Sequence, residues 1–276
     1  MTAIKWDGHT HTEFCQHGSG DSTAAMVERA IEAGFTHYSI TEHAPLPDGF
    51  FPTETLQREF GLLPREMRDY FDLIQDLKAV YARKIRILCG LEVDYLQGYE
   101  EFTKNLIASY EEELEELMLS VHFMNGKNGH CCIDYSPDIF RKELIAHYGS
   151  ADRAHDAYWQ VIRDMVSEQW PTSIPIRIGH LGVVNKFIKA IPLQNGDRYD
   201  ISYFRELFHC VKKRGYCLDA NVAGLAVETC RETYLTAPMR YWSKKLQIGL
   251  VYGSDAHSTK AVGHFYDVFE KKMQNR

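Results

Sequence analysis

Short apolar runs rich in β-branched and aromatic residues alternate along the chain with longer stretches whose apolar positions recur at helical spacing. The short runs are 3–9, 36–43, 84–93, 116–123, 174–181, 215–222 and 247–255. The helical stretches are 22–33, 66–82, 102–115, 137–169, 200–213, 236–246 and 260–272. Asp21 or Ser22 is placed to cap the first helix, and Gly34 to end it. Strict alternation of strand and helix implies parallel strands joined by helical crossovers. Seven such units, about 40 residues each, predict an α/β fold closed or nearly closed into a barrel, with a doubly wound open sheet as the other topology. Segments 44–65 and 124–136 hold much of the Gly, Pro and Asn and read as long loops. No linker or composition break divides residues 1–276, so one domain is expected.

Metal-binding residue types gather at the C-terminal ends of these strands. The first ends in His9 and His11 with His17 beyond, the second in Glu42 and His43, and the third in Glu92. The fourth ends in His122, the fifth in His180, and the seventh in Asp255 and His257. Those ends build the active site of β/α barrels. Side chains two apart share a strand face, so His9 with His11, and Asp255 with His257, can enter one barrel mouth. Glu92 shares its face with Leu88 and Gly90. Only one of Glu42 and His43 can point inward. The imidazole is the expected ligand, with Glu42 behind, orienting an imidazole. Asp7 either does the same for His9 or His11 or simply ends its strand.

Seven imidazoles and two carboxylates are too many donors for one tetrahedral ion. Three ligands per ion, with one position left open on each, predict three divalent ions, Glu92 bridging two of them. The nitrogen and oxygen donors suit zinc, manganese or iron. The remaining histidines read as hydrogen-bonded or surface residues: His37, His130 in a loop, and His147, His155, His209 and His264 in helical surface settings.

Charge and cysteine content narrow the partners. The net charge of −7 argues against nucleic acid as an obligatory partner, which would need a basic patch. The seven cysteines are scattered without a C-x-x-C pair, as in reduced cytosolic proteins. No run approaches the ~18 apolar residues of a membrane span. The start of the chain turns polar too soon for a secretory signal. A cytoplasmic protein is expected, and nothing in the sequence sets an oligomeric state.

The ordered motifs DGHTHTEFCQHG, TEHAP, GLEVDYLQGYE, SVHF, GHLG and YGSDAH, between residues 7 and 257, resemble those of the polymerase-and-histidinol-phosphatase (PHP) superfamily. Within it, TEHAP and GLEVDYLQGYE look most like the histidinol-phosphate phosphatases. The resemblance implies a distorted seven-stranded (β/α)7 TIM-like barrel with a trinuclear metal centre. It assigns His9, His11, Glu92 and Asp255 to a first ion, Glu92, His122 and His180 to a second, and His17, His43 and His257 to a third. It implies hydrolysis of a small phosphate monoester, L-histidinol phosphate, by a hydroxide held between two metals.

No P-loop or G-x-S-x-G elbow is present, so no covalent intermediate is expected. Asp255 or His257 is expected to be coupled to a water that delivers the leaving-group proton, with Asp255 preferred. Lys186, on the loop after His180, is the expected phosphate contact. Arg177 precedes His180 by three residues and, on a regular strand, faces away from the mouth among the helices. Asn221 ends the sixth strand, where it either binds substrate or satisfies backbone. The loops 44–65 and 124–136 are expected to read the imidazole and amine. Rival readings are a metal-dependent nuclease, which the acidic charge opposes, an amidohydrolase, which uses fewer histidines, and a non-catalytic metal-binding protein, which would close its metal shells.

Overall fold

The computed structural model describes residues 4–273. Its strands are β1 (Trp6–Asp7), β2 (His37–His43), β3 (Arg86–Asp94), β4 (Glu116–Ser120), β5 (Phe123–Gly126), β6 (Gly129–Cys132), β7 (Ile176–Ile178), β8 (Cys217–Asn221) and β9 (Leu250–Gly253). Strands β5 and β6 form a separate antiparallel hairpin. The other seven make one sheet in the order β1-β2-β3-β4-β7-β8-β9, parallel at every pairing. Backbone hydrogen bonds join its two end strands: Gly8 N–H to Tyr252 O (2.8 Å), Asp255 N–H to His9 O (2.8 Å) and His11 N–H to Ala256 O (2.9 Å). The sheet is therefore a nearly closed barrel, not the open alternative.

Alternation along each strand separates two interiors. Ile87, Cys89, Leu91 and Val93 of β3 join the hydrophobic layer beneath the helices, and Leu88 and Glu92 do not. Helix Met67–Tyr81 answers with Tyr70, Ile74, Leu77 and Tyr81, the three-and-four spacing of one helical face. The Tyr70 hydroxyl donates to Gly90 O at 2.6 Å, tying that helix to the strand that carries Glu92.

Departures from the expected elements have local causes. The helix expected over 137–169 is broken at Gly149, whose φ of 86° no helix interior allows. Ser150 then caps a new helix, Ala151–Ser167, by accepting from Arg153 N–H. The expected loop 44–65 contains helix Glu54–Phe60, and the expected loop 124–136 contains most of the β5–β6 hairpin.

The register of the fifth barrel strand, β7, corrects one expectation. Arg177 does not face the helices. It lies inside the barrel, buried, in an ion pair with Glu116 of β4 and with its guanidinium 4.9 Å from the centre of the Trp6 ring. The regular alternation fails because β7 ends at Ile178 and the chain turns at Gly179. There a Cβ would sit 2.1 Å from Ser120 Oγ, so only glycine fits. Gly179 and His180 consequently both reach the interior. The same break occurs on β1, where a Cβ on Gly8 would lie 1.9 Å from Arg177 Nη1 while the adjacent His9 also turns inward.

Candidate metal centre

The barrel mouth gathers the expected residues around Glu92, which is buried at the end of β3. Its Oε1 lies 2.9 Å from His180 Nε2 and 3.8 Å from His122 Nε2. Its Oε2 lies 3.1 Å from His43 Nδ1, 3.3 Å from His9 Nε2 and 3.6 Å from His11 Nε2. Asp255 Oδ1 approaches His11 Nε2 at 3.3 Å and His9 Nε2 at 3.6 Å. Asp255 holds a φ of 55°, an uncommon conformation for a non-glycine residue and one that recurs at functional sites. His17 and His257 bring their Nε2 atoms to 3.1 Å of each other. His43 turns its ring toward Glu92, and Glu42 lies 3.3 Å from His11 Nδ1.

These residues fit a bound cation better than a hydrogen-bonded polar core. The Nε2 atoms of His9 and His11 face each other at 3.2 Å. Glu92 Oε2 and His43 Nε2 are buried without hydrogen-bond partners, an expensive arrangement unless something else satisfies them. Groups of donor atoms within 4.8 Å of one another include eight of the nine expected ligands, and His17 joins them through His257. Burial disfavours charge on His9, yet Glu92, Asp255 and Asp219 outweigh it and hold the protonated ring well above the usual imidazole range. At His11 burial is likewise outweighed, by hydrogen bonds to Asp255 and Glu42, which raise it to about 9. Asp94 and Glu92 overcome burial at His122, raising it to about 10. His17 moves down to about 4 through burial and repulsion from His43 and His11. The carboxylates thus draw protons wherever no cation stands.

Residues that sequence reasoning missed hold the clustered side chains in place. Asp219 Oδ2 accepts from the His9 ring at 2.8 Å and from His180 N–H at 3.1 Å. Gly253 makes room for this, since a Cβ there would lie 2.0 Å from Asp219 Oδ1 and 2.9 Å from His9 Cβ. Asp94 Oδ1 accepts from His122 N–H and its ring, at 2.9 and 3.0 Å. Asp94 was within reach of parity, lying two residues beyond Glu92, and Asp219 lies two before Asn221. Cys15 places its sulfur among His11, His43 and His257. Among the histidines set aside, His155 is buried rather than on the surface, and none of the six joins the cluster. Asp7 contacts neither imidazole. It accepts from Ser254 N–H at 3.0 Å, which tethers β1 to the end of β9.

A cavity of about 420 Å³ opens beside the cluster, lined by His17, His122, His180, Lys186, Asp255 and His257 among others. Lys186 stands on the turn Val183–Phe187 with Nζ 2.8 Å from Asp134 Oδ2. Burial opposes its charge, but Asp134 more than compensates and raises its pKa. Asn221 does not line this cavity. It is fully buried, its Oδ1 accepting from Ala223 N–H while its amide spans Asp219 (3.0 Å) and Asp255 (3.3 Å). Of the two roles open to it, the structure gives it the internal one.

Parallel strands closed into a barrel, with imidazoles and carboxylates converging on a cavity at the strand C-termini, define the metal-centred β/α-barrel enzymes. The chain belongs to the PHP domain family, whose pattern matches residues 7–223. It is 34% identical over 269 residues to the histidinol-phosphatase of Bacillus subtilis (strain 168), covering 96% of this chain and 98% of that protein. A crystal structure of an inferred histidinol phosphatase from Listeria monocytogenes superposes with a TM-score of 0.91 at 35% identity, covering 96% of this chain and all of the other. The histidinol phosphate phosphatase of Lactococcus lactis, solved with zinc, L-histidinol and phosphate, shares the fold at a TM-score of 0.67 and 18% identity, covering 97% of this chain and 93% of that one.

Proposed function

We infer that this chain is a metal-dependent phosphomonoesterase that hydrolyses L-histidinol phosphate to L-histidinol and inorganic phosphate. The reading rests on one coincidence. Similarity to a histidinol-phosphatase over 96% of the chain occurs together with nine candidate ligands gathered at the barrel mouth, six of which line one cavity. His9, His11, Glu92 and Asp255 would hold one ion, Glu92, His122 and His180 a second, and His17, His43 and His257 a third. Zinc, manganese and iron all suit this donor set. Such ions supply positive charge for the phosphoryl oxygens and a water acidic enough to attack near neutral pH.

The protein's own groups do the rest. Lys186 faces the cavity and binds the phosphate, its charge maintained by Asp134. A water coupled to Asp255, or alternatively to His257, passes a proton to the departing alcohol oxygen. Asp219, Asp94 and Glu42 fix the tautomers and tilts of His9, His122 and His11. Asn221 restrains Asp219 and Asp255 together. The whole chain acts as one domain in the cytoplasm. No helix among the described residues is long and apolar enough to cross a membrane.

The cavity volume and the net charge of −7 favour a small phosphate ester over nucleic acid. A turnover screen of histidinol phosphate, other phosphate monoesters and single-stranded DNA tests the reading. Histidinol phosphate is expected to be the best substrate. Preferential cleavage of DNA, or of an unrelated ester, would refute it.

A further inference from the structure

The cavity that Lys186 lines also carries a carboxylate that the hydrolysis itself does not use. Helix Glu54–Phe60 follows β2, and its last turn brings Glu59 and Phe60 to the cavity. Of the three acidic residues in 54–66, Glu54 pairs with Arg65 and Glu66 with Arg58. Glu59 pairs with no cation among the described residues. Its carboxylate Oε1 accepts one hydrogen bond, from the Tyr135 hydroxyl at 3.2 Å. Asp134 and Tyr135 are consecutive but serve different walls, Asp134 reaching Lys186 and Tyr135 reaching Glu59. Of the other two cavity carboxylates, Asp134 is thus already paired with Lys186 and Asp255 lies against His11 and His9, whereas Glu59 has no cationic partner among the described residues.

Phe60, Phe123 and Tyr135 line the same cavity as this carboxylate. The Phe60 ring lies 5.5 Å from Phe123 and 5.9 Å from Tyr135, centre to centre. Behind them Leu46, Phe50, Leu96 and Phe123 form a hydrophobic cluster of their own, separate from the main core, against which Phe51 and Phe60 pack. The wall is therefore a packed structure. It is also tied to the catalytic cluster, because the main-chain oxygen of Glu59 accepts from His17 Nδ1 at 3.1 Å.

Resting on the phosphatase reading above, we propose that Glu59, steadied by Tyr135 and set among Phe60, Phe123 and Tyr135, selects substrates whose alcohol half is cationic and aromatic. Histidinol phosphate has its anion at one end and an ammonium group and an imidazole at the other. Lys186 and the metal cluster meet the first end. The Glu59 carboxylate pairs with the cationic group of the second, and the rings receive the imidazole face. A phosphate ester of an uncharged alcohol gains nothing from Glu59.

The test compares the metal-loaded wild type with Glu59→Gln and Tyr135→Phe on two esters, histidinol phosphate and 4-nitrophenyl phosphate, whose alcohol half is aromatic but uncharged. Losing a charge-assisted contact costs about tenfold or more in binding. Glu59→Gln should therefore lower kcat/KM for histidinol phosphate by about that factor, mainly through KM, and weaken inhibition by L-histidinol equally. Turnover of 4-nitrophenyl phosphate and inhibition by inorganic phosphate should stay within about twofold, since the glutamine keeps the main-chain contact to His17. Tyr135→Phe should show the same pattern with a smaller loss. Equal losses on both esters would mean that Glu59 acts only through His17 and would overturn the proposal, as would no loss on either. A wild type active on 4-nitrophenyl phosphate but inert to histidinol phosphate would instead overturn the phosphatase reading, and this inference with it.

Discussion

Lys186 and Asp134 permit a quantitative test of how the cavity holds phosphate. Their 2.8 Å contact makes them one unit, with the lysine charge offsetting that of the carboxylate. Replacing Lys186 with methionine keeps the aliphatic stem and removes the charge. A charge-assisted contact to phosphate is worth about 1.5–3 kcal/mol, or roughly 10- to 150-fold in an inhibition constant. The substitution also leaves the Asp134 carboxylate bare before the anion. At ~5 Å and an effective dielectric of ~20, that repulsion is about 3 kcal/mol per phosphate charge before salt screening. Lys186→Met should therefore raise the inhibition constant of inorganic phosphate by about 100-fold or more. Asp134→Asn alone should leave it unchanged or lower it. The double variant should recover much of the loss, because the repulsion disappears with the carboxylate. Competition by phosphate against histidinol phosphate, measured at fixed ionic strength, gives all four corners of the cycle. A change within twofold for Lys186→Met, or a double variant no better than the single, would show that Lys186 does not meet the phosphate.

Other perturbations follow from the same geometry. Glu92→Gln should strip metal and abolish turnover more completely than loss of any one peripheral histidine, whereas His147→Ala, exposed and remote from the cluster, should change neither; equal effects on metal content would contradict the central place of Glu92. Metal binding should release protons at pH 7, because His11 and His122 stand raised to about 9 and about 10 in the metal-free protein and must lose their protons to bind. Apparent affinity should then rise with pH, by about tenfold per unit for each proton released, and level off above those values; calorimetry in two buffers of different ionisation enthalpy would refute this by finding no net release. Asp219→Asn should weaken metal binding by about 10- to 100-fold, the usual effect of losing a carboxylate behind a ligating imidazole; a metal titration finding wild-type affinity would remove Asp219 from that role. Arg177→Met should destabilise the fold by about 3–5 kcal/mol in denaturant titration by leaving Glu116 buried and unpaired, while phosphate inhibition of the folded fraction stays the same.

The strand-end histidines were legible because two features coincide in the sequence: their position at the ends of apolar runs, and a spacing of two within the pairs His9 with His11 and Asp255 with His257. Parity allowed only one of Glu42 and His43 to face inward, and the chemistry of the imidazole, not parity, chose between them. Parity failed on β7, where the turn at Gly179 brings His180 into the interior that Arg177, three residues earlier, also faces. A strand-based argument assumes a regular strand, and β7 is regular for only three residues. The break at Gly149 was signalled by Gly-Ser followed by a new helical run, but the apolar periodicity on both sides masked it. Asp134 was beyond sequence reasoning for another reason. Its partner Lys186 lies 52 residues away, and only the fold brings a hairpin end to the turn after β7. The pairing of Tyr135 with Glu59, 76 residues apart, was hidden in the same way.

On the proposed reading, the nine converging side chains hold the metals on which hydrolysis of histidinol phosphate depends. Elemental analysis of protein purified without chelator, with histidinol phosphate turnover measured on the same sample, tests it most directly. About three divalent ions per chain are expected in a fully active sample, on the proposed assignment of the nine donors to three ions. Activity should fall as a chelator removes them and return when they are restored. A fully active sample holding one ion or none, or a fully loaded sample that leaves histidinol phosphate intact, would contradict the account.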